Sequence, residues 1–320
     1  MPANPLTLAT QFRAQLQRLD AAALQQLIAA YAPIRRDMDL SIDSLLMDIE
    51  LMQSPTAVRV RRSDRYKKLI DSLGDRLTEF SLFLLVAMRG ASGQGSQLGA
   101  LNGAQMLGGL GLRPATVNYR AIEALAAFLD PSGPLYKRIQ VLAPFTVQRV
   151  SDAILDGVSL GQNPAVIALG INRALGVGLT DSLRMTRTVQ IYSYRYANHA
   201  TYMANDIATW TWFSRLDPAR TCMSCVQMHG TVHSAAETLN DHHSGLCIPI
   251  PNVANVNLVG APGEDWFNQQ NAATQAQMMG PGKYDAWKAG KLDFGNLSTT
   301  HNDPVYGEMR VAAPLKELVK

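Results

Sequence analysis

The sequence predicts a mainly α protein in which a long helical body carries a small β-containing, cysteine- and histidine-bearing module near its carboxy terminus, an α+β arrangement. Three observations predict it. Apolar residues recur at three- and four-residue spacing through most of the first two hundred residues. Alternating, aromatic-rich stretches follow only after about residue 207. All three cysteines, with four of the six histidines, lie between Thr221 and Cys247. A chain of 320 residues with 47% hydrophobic and 17% charged residues is core-forming rather than disordered.

From Phe12 to Met52 the apolar positions Phe12, Leu16, Leu19, Leu27, Tyr31, Ile34, Met38, Ile42, Leu45 and Ile49 trace a helical stripe, which predicts two amphipathic helices separated near Pro33. A basic run follows, with Arg59, Arg61, Arg62, Arg65, Lys67 and Lys68. It reads as a solvated face leading into an apolar helix that ends near Met88, with contact to phosphates as the alternative. Residues 90–111 are rich in glycine and small residues; their spacing fails the dinucleotide-loop pattern and predicts a loop followed by a closely packed helix. Helices then continue to Asn205, with breaks at residues 130–134, 159–164 and near 176–178, the last helix capped by Thr180 or Asp181.

Residues 208–213 (ATWTWF) alternate as a strand does, 230–233 (GTVH) form a second short one, and 247–253 (CIPIPNV) a proline-limited third. Helical patterning returns around Trp266–Met279 and Tyr284–Lys288. The organisation expected is an amino-terminal helical region 1–113, a second helical region 114–206, the β-containing module 207–260 and a carboxy-terminal helical tail 261–320.

Charge and hydropathy narrow the function classes. A net charge of +3 permits contact with nucleic acid but lacks the clustered footprint of a dedicated DNA-binding domain. The amino terminus has no apolar segment behind a basic start, and the longest apolar run, 80–88, is about half the length a membrane span needs, so no membrane partner is expected. In a reducing cytoplasm three cysteines argue against a disulfide framework and leave metal binding or free thiols.

Cys222 and Cys225 are spaced C-x-x-C, a turn that aims two thiolates at one point, and Cys247 offers a third. His243 is read as the fourth ligand, with His242 as the alternative and His229 and His233 as weaker candidates. Four thiolate and imidazole ligands close a tetrahedral zinc site, so the module is a zinc knuckle whose ion is structural and replaces a core that 207–260 is too short to build. The competing reading is buried cysteines beside unrelated histidines. A thioredoxin-like pair lacks its βαβ setting, and the H-x-E of zinc deaminases is missing. The Asp241-His242-His243 triplet also raises an HNH-like, metal-dependent nuclease acting on DNA, although the chain has one C-x-x-C where such domains usually have two.

Taken in order, five segments from about Ile154 to Leu318 resemble the phage head morphogenesis family, the minor head proteins like protein F of phage Mu. They are ILDGVSLGQNP; RMTRTVQIYSYRYAN with Arg187 and Thr188; TWTWFSRLDPARTCMSCVQMHGTV; HHSGLCIPIP; and the EDWFNQQ to FGNL stretch with the final PLKEL. Pro249 stands where many members have a further cysteine, and His229 where aspartate is common. The resemblance implies a non-enzymatic minor capsid protein of the virion, made in the host cytoplasm and placed in the phage head interior. Its implied partners are the portal protein and the major capsid or scaffold proteins, with non-specific contact to packaged double-stranded DNA.

Overall fold

The computed structural model describes residues 4–115, 117–118, 130–131, 133–253 and 259–318. The fold is mainly α with two small antiparallel sheets. Among the described residues, its helices before residue 206 are α1 (Pro5–Leu51), α2 (Ala57–Arg62), α3 (Asp64–Gly109), α4 (Pro134–Ser159) and α5 (Pro164–Met203). The stretch 119–129 of the expected second helical region lies outside the described residues.

Three breaks expected from sequence are absent. Pro33 sits inside a continuous 47-residue α1. A mid-helix proline costs about 3 kcal/mol, but Tyr31, Ile34 and Met38 on either side of it are all buried, so the packed stripe outweighs the lost backbone bond. The glycine-rich stretch is helix throughout, because α3 runs on to Gly109. Likewise α5 passes through 176–178; Gly178 leaves room for Thr146 of α4, and Thr180 bonds back to the Gly176 carbonyl at 2.9 Å instead of capping a helix. The breaks at 130–134 and 159–164 do occur, and Asn163 caps α5 by accepting the Val166 N–H at 3.0 Å.

The chain divides into two compact units that do not follow the boundaries expected from sequence. One comprises Asp20–Ala91 and Ala127–Arg187. Within it α1 and α3 form an antiparallel pair, since Arg65 meets Asp48 at 3.0 Å and Arg76 meets Asp37 at 3.0 Å. Tyr31 packs edge-on to Phe80 with ring centroids 4.9 Å apart and donates its hydroxyl to the Leu175 carbonyl at 2.9 Å.

The other unit comprises Met1–Leu19, Ser92–Ala126 and Thr188–Lys320, and it holds every cysteine. Its frame is α3 lying parallel to α5. Gly95 and Gly99 leave no room for a side chain against the backbone carbonyls of Gln190 and Tyr194, and Gly103 packs on Thr201. Ser92 and Ser193 share a hydrogen bond of 2.9 Å across the same seam. The module expected at 207–260 is not a separate body: Leu8, Ala9 and Phe12 of α1 share one core with Met106, Ile248, Ile250 and Val259.

In that unit β1 (Thr209–Phe213) lies between β2 (Val232–Ser234) and β3 (Ile248–Pro251), antiparallel to both; the three strands fall within or next to the stretches expected from sequence, and their order and pairing come from the fold. The tail from residue 261 is only partly helical. After α7 (Gly263–Asn268), α8 (Ala272–Met279) and α9 (Pro281–Lys288) comes a hairpin of β4 (Ser298–Asp303) and β5 (Gly307–Ala312), then α10 (Leu315–Leu318). The hairpin gives little apolar alternation to read, because most of β4 and β5 is exposed or half-buried. Its turn is set by Asp303, whose Oδ1 accepts the Val305 and Tyr306 N–H groups at 2.8 and 3.0 Å.

Candidate metal centre

The C-x-x-C pair is built at the start of a short helix, α6 (Met223–Met228). Ahead of it, Asp217 accepts the Ala219 N–H at 2.9 Å and the Thr221 N–H returns to the Asp217 carbonyl at 2.9 Å, a tight turn that delivers Cys222 to the N-cap position. Cys225 follows on the first turn of that helix. Cys247 immediately precedes β3.

The structure brings His242, not His243, to the sulfurs. His242 Nε2 lies 3.2 Å from Cys222 Sγ and 3.4 Å from Cys225 Sγ. Its Nδ1 is 2.9 Å from the His243 carbonyl, which can only accept, so Nδ1 carries the proton and Nε2 is left to face the sulfurs. A backbone carbonyl holding the far ring nitrogen is the usual support of a metal-ligating histidine. His243 turns away: its Nε2 pairs with Asp303 Oδ2 at 3.0 Å, and Nδ1 is 3.5 Å from Thr188 Oγ1. The fourth ligand expected as His243 is thereby corrected to the alternative, His242, because Asp303 captures His243 while His242 meets the sulfurs.

Two overlapping groups could hold a metal ion, Cys222–Cys225–His242 and Cys225–Asp241–Cys247, with ligand atoms within 4.8 Å of one another in each. Cys225 belongs to both and joins Cys247 to the first three. Tetrahedral bonds of about 2.3 Å to sulfur and 2.0–2.1 Å to nitrogen put neighbouring ligands roughly 3.6–3.8 Å apart. The contacts of His242 with the sulfurs fall near that spacing. Cys225, Cys247 and Asp241 are buried, and Cys222 and His242 are half-buried.

Asp241, which sequence reading paired with the nuclease triplet, organises the loop. Its Oδ1 accepts the His242 N–H at 2.8 Å and the Cys225 thiol at 3.3 Å, and its Oδ2 accepts Arg195 Nη2 at 3.0 Å. Burial opposes its charge, but His242 and Arg195 outweigh burial and hold the carboxyl below its ordinary range. Gly245 is pressed against that carboxylate with no space for a side chain. Arg195 was missed in the sequence, since one of four arginines in α5 gives no local sign of a partner 46 residues on.

The protons of the cluster are unevenly shared. The hydrogen bond from Cys225, with help from His242 and against burial, lowers the Cys222 thiol to about 5; the same bond and Cys247 push Cys225 well above its usual value. Burial pulls His242 down, but the Cys222 sulfur and Asp241 overcome it and raise the imidazole to about 10. A thiolate beside an imidazolium is a pair of charges that a divalent ion can reorganise by displacing the proton.

His229 and His233 take no part. His229 caps α6, and its Nδ1 accepts the Ser214 N–H at 3.1 Å. His233 stacks on Trp210 at 4.5 Å and pairs with Glu237 at 3.2 Å. Burial holds His229 neutral and lowers it to about 4. The unfolded chain takes up this proton near pH 6.5 while the folded chain resists until about pH 4, so the stability conferred is full above that window and lost as pH falls through it. The loss is on the order of 3 kcal/mol. Urea denaturation from pH 7 to 4 should show this slope, and a His229→Asn protein should flatten it.

No protein-family model, curated protein or solved structure matches this chain.

Proposed function

We propose that the chain is a structural minor head protein of a tailed phage or prophage, acting in head assembly near the portal, and that Cys222, Cys225, His242 and Cys247 hold one structural zinc ion. The observation that carries this reading is the enclosure of the cluster. Cys225 and Cys247 are buried, Cys222 and His242 are half-buried, and the nearest carboxylate is committed to Arg195, an arrangement suited to a site that ties chain segments together. Three thiolates and an imidazole favour zinc over the harder magnesium and calcium ions. The ordered likeness of residues 154–318 to phage head morphogenesis proteins supplies the biological setting.

The long α1, α3, α4 and α5 offer extended surfaces to the portal and to major capsid or scaffold proteins. Arg59, Arg61, Arg62, Arg65, Lys67 and Lys68 are all exposed, on α2 and the first turns of α3, and are suited to non-specific contact with packaged double-stranded DNA. Arg65 is tied to Asp48 at 3.0 Å, and Lys67 lies 4.0 Å from Asp64. Such contact would weaken steeply with salt.

The alternative is an HNH-like nuclease, which needs an ion with an open position toward a groove and a histidine to activate water. His243, half-buried against Asp303, is the residue such chemistry would use. Crosslinking and mass spectrometry of purified heads separate the two. Links from the helices to portal or capsid chains are expected, together with intact plasmid DNA after incubation of the protein with magnesium, manganese or zinc. Protein found only in host cytoplasm refutes the head assignment, and nicking that disappears in a His243→Ala protein establishes the nuclease.

A further inference from the structure

Two buried arginines from helices far apart in sequence converge on one short loop of the metal centre. Arg195 of α5 donates Nε to the Cys247 carbonyl at 3.1 Å and Nη2 to the Gly245 carbonyl at 2.9 Å, besides its pairing with Asp241. Arg13 of α1 donates Nε to the Leu246 carbonyl at 3.2 Å and Nη2 to the Phe213 carbonyl at 3.5 Å, and its guanidinium lies 5.0 Å from the centre of the Phe213 ring. Three successive carbonyls, of Gly245, Leu246 and Cys247, are therefore held by guanidinium groups.

Carbonyls satisfy hydrogen bonds but not charge. Both arginines are 5% exposed, and Asp241, at 1%, supplies one buried negative charge between them. Arg13 lies near Cys247, Arg215, Tyr194, Cys225 and His229, and no described carboxylate forms an ion pair with it. Arg215 is near the surface and already paired with Asp217 at 3.3 Å. A buried charge left uncompensated is strongly unfavourable. One positive charge thus stays uncompensated unless the cysteine cluster itself is anionic, and a divalent ion on three thiolates and a neutral imidazole carries one negative charge.

We infer that Arg13 and Arg195 form a guanidinium clamp that closes the loop 241–247 over the metal centre and offsets the negative charge of a three-thiolate ligand set. The inference rests on reading Cys222, Cys225, His242 and Cys247 as the ligands. It makes Arg13, near the start of the chain, a positioning residue for an ion bound more than two hundred residues later, and it makes the amino-terminal helix part of the metal centre's support.

The test uses the full chain. Zinc affinity by chelator competition is expected to fall 10- to 100-fold in Arg13→Gln, as for loss of other outer-shell partners, and to recover most of the way in Arg13→Lys, which restores the charge. A purely packing role would not separate lysine from glutamine. A second measurement needs no variant: the thiolate-to-metal charge-transfer absorption of the cobalt-substituted wild-type protein should correspond to three thiolates. Wild-type affinity in Arg13→Gln, a lysine variant as weak as the glutamine one, or an absorption of two thiolates would overturn the clamp while leaving the metal site standing. A wild-type chain that binds neither zinc nor cobalt removes the ligand set and the clamp together.

Discussion

Purified protein is expected to carry one zinc ion per chain and to lose the native packing of its carboxy-terminal module when that ion is removed or when Cys225 is replaced by serine. The expected effect is large because the sulfurs are part of the core: Cys225 and Cys247 pack with Trp210, Trp212, Met228 and Leu239 in one buried cluster. Structural zinc contributes roughly 10 kcal/mol or more in small metal-bound folds. Here the module also rests on α1 through Ile248 and Ile250, so metal loss should disorder the segment 214–247 before it melts the long helices. Trp210 and Trp212 make the event visible, and near-ultraviolet circular dichroism should collapse while most far-ultraviolet helical signal persists. Equal urea midpoints for the metal-free and zinc-loaded chains, or three freely reactive thiols in the native protein, would remove the metal from the account.

A Gly99→Val substitution is expected to give the second largest loss of stability, by overpacking a helix seam and without touching a cysteine ligand. The position a Cβ would take at Gly99 overlaps the backbone carbonyl of Tyr194, and a backbone atom cannot rotate aside as a side chain can. The parallel seam of α3 and α5 would have to separate, breaking the Ser92–Ser193 bond and the Asn102 to Tyr194 contact of 3.4 Å. Overpacking a tight core costs typically 1–3 kcal/mol and occasionally more; backbone overlap along a helix pair belongs at the upper end. Alanine at Gly74, where a Cβ meets nothing within 4 Å, is the control and should be neutral or slightly stabilising through helix propensity. Equal thermal midpoints for Gly99→Val and Gly74→Ala would refute close packing of the seam.

Much of this was legible in the chain. The spacing of Phe12, Leu16, Leu27 and Tyr31 marks the buried stripe of α1, and the alternation in 208–213 marks β1, because each reports a period that the local backbone imposes on its own side chains. The gathering of three cysteines and four histidines marks the metal centre for a similar reason, since ligand chemistry allows few residue types and clusters them. What the tertiary structure decided was every choice that depends on a distant partner. Helix continuity at Pro33 and through the glycines of α3 follows from packing energy that local propensity does not contain. Asp303, 60 residues away, draws His243 off and leaves His242 to the sulfurs. Arg13 and Arg195 reach the loop from α1 and α5, helices whose sequences carry no mark of it. A residue's own neighbours in sequence set its backbone, but buried charge and steric contact act through space, so only the folded chain chose which histidine faces the cysteine sulfurs and which arginines hold the loop beside them.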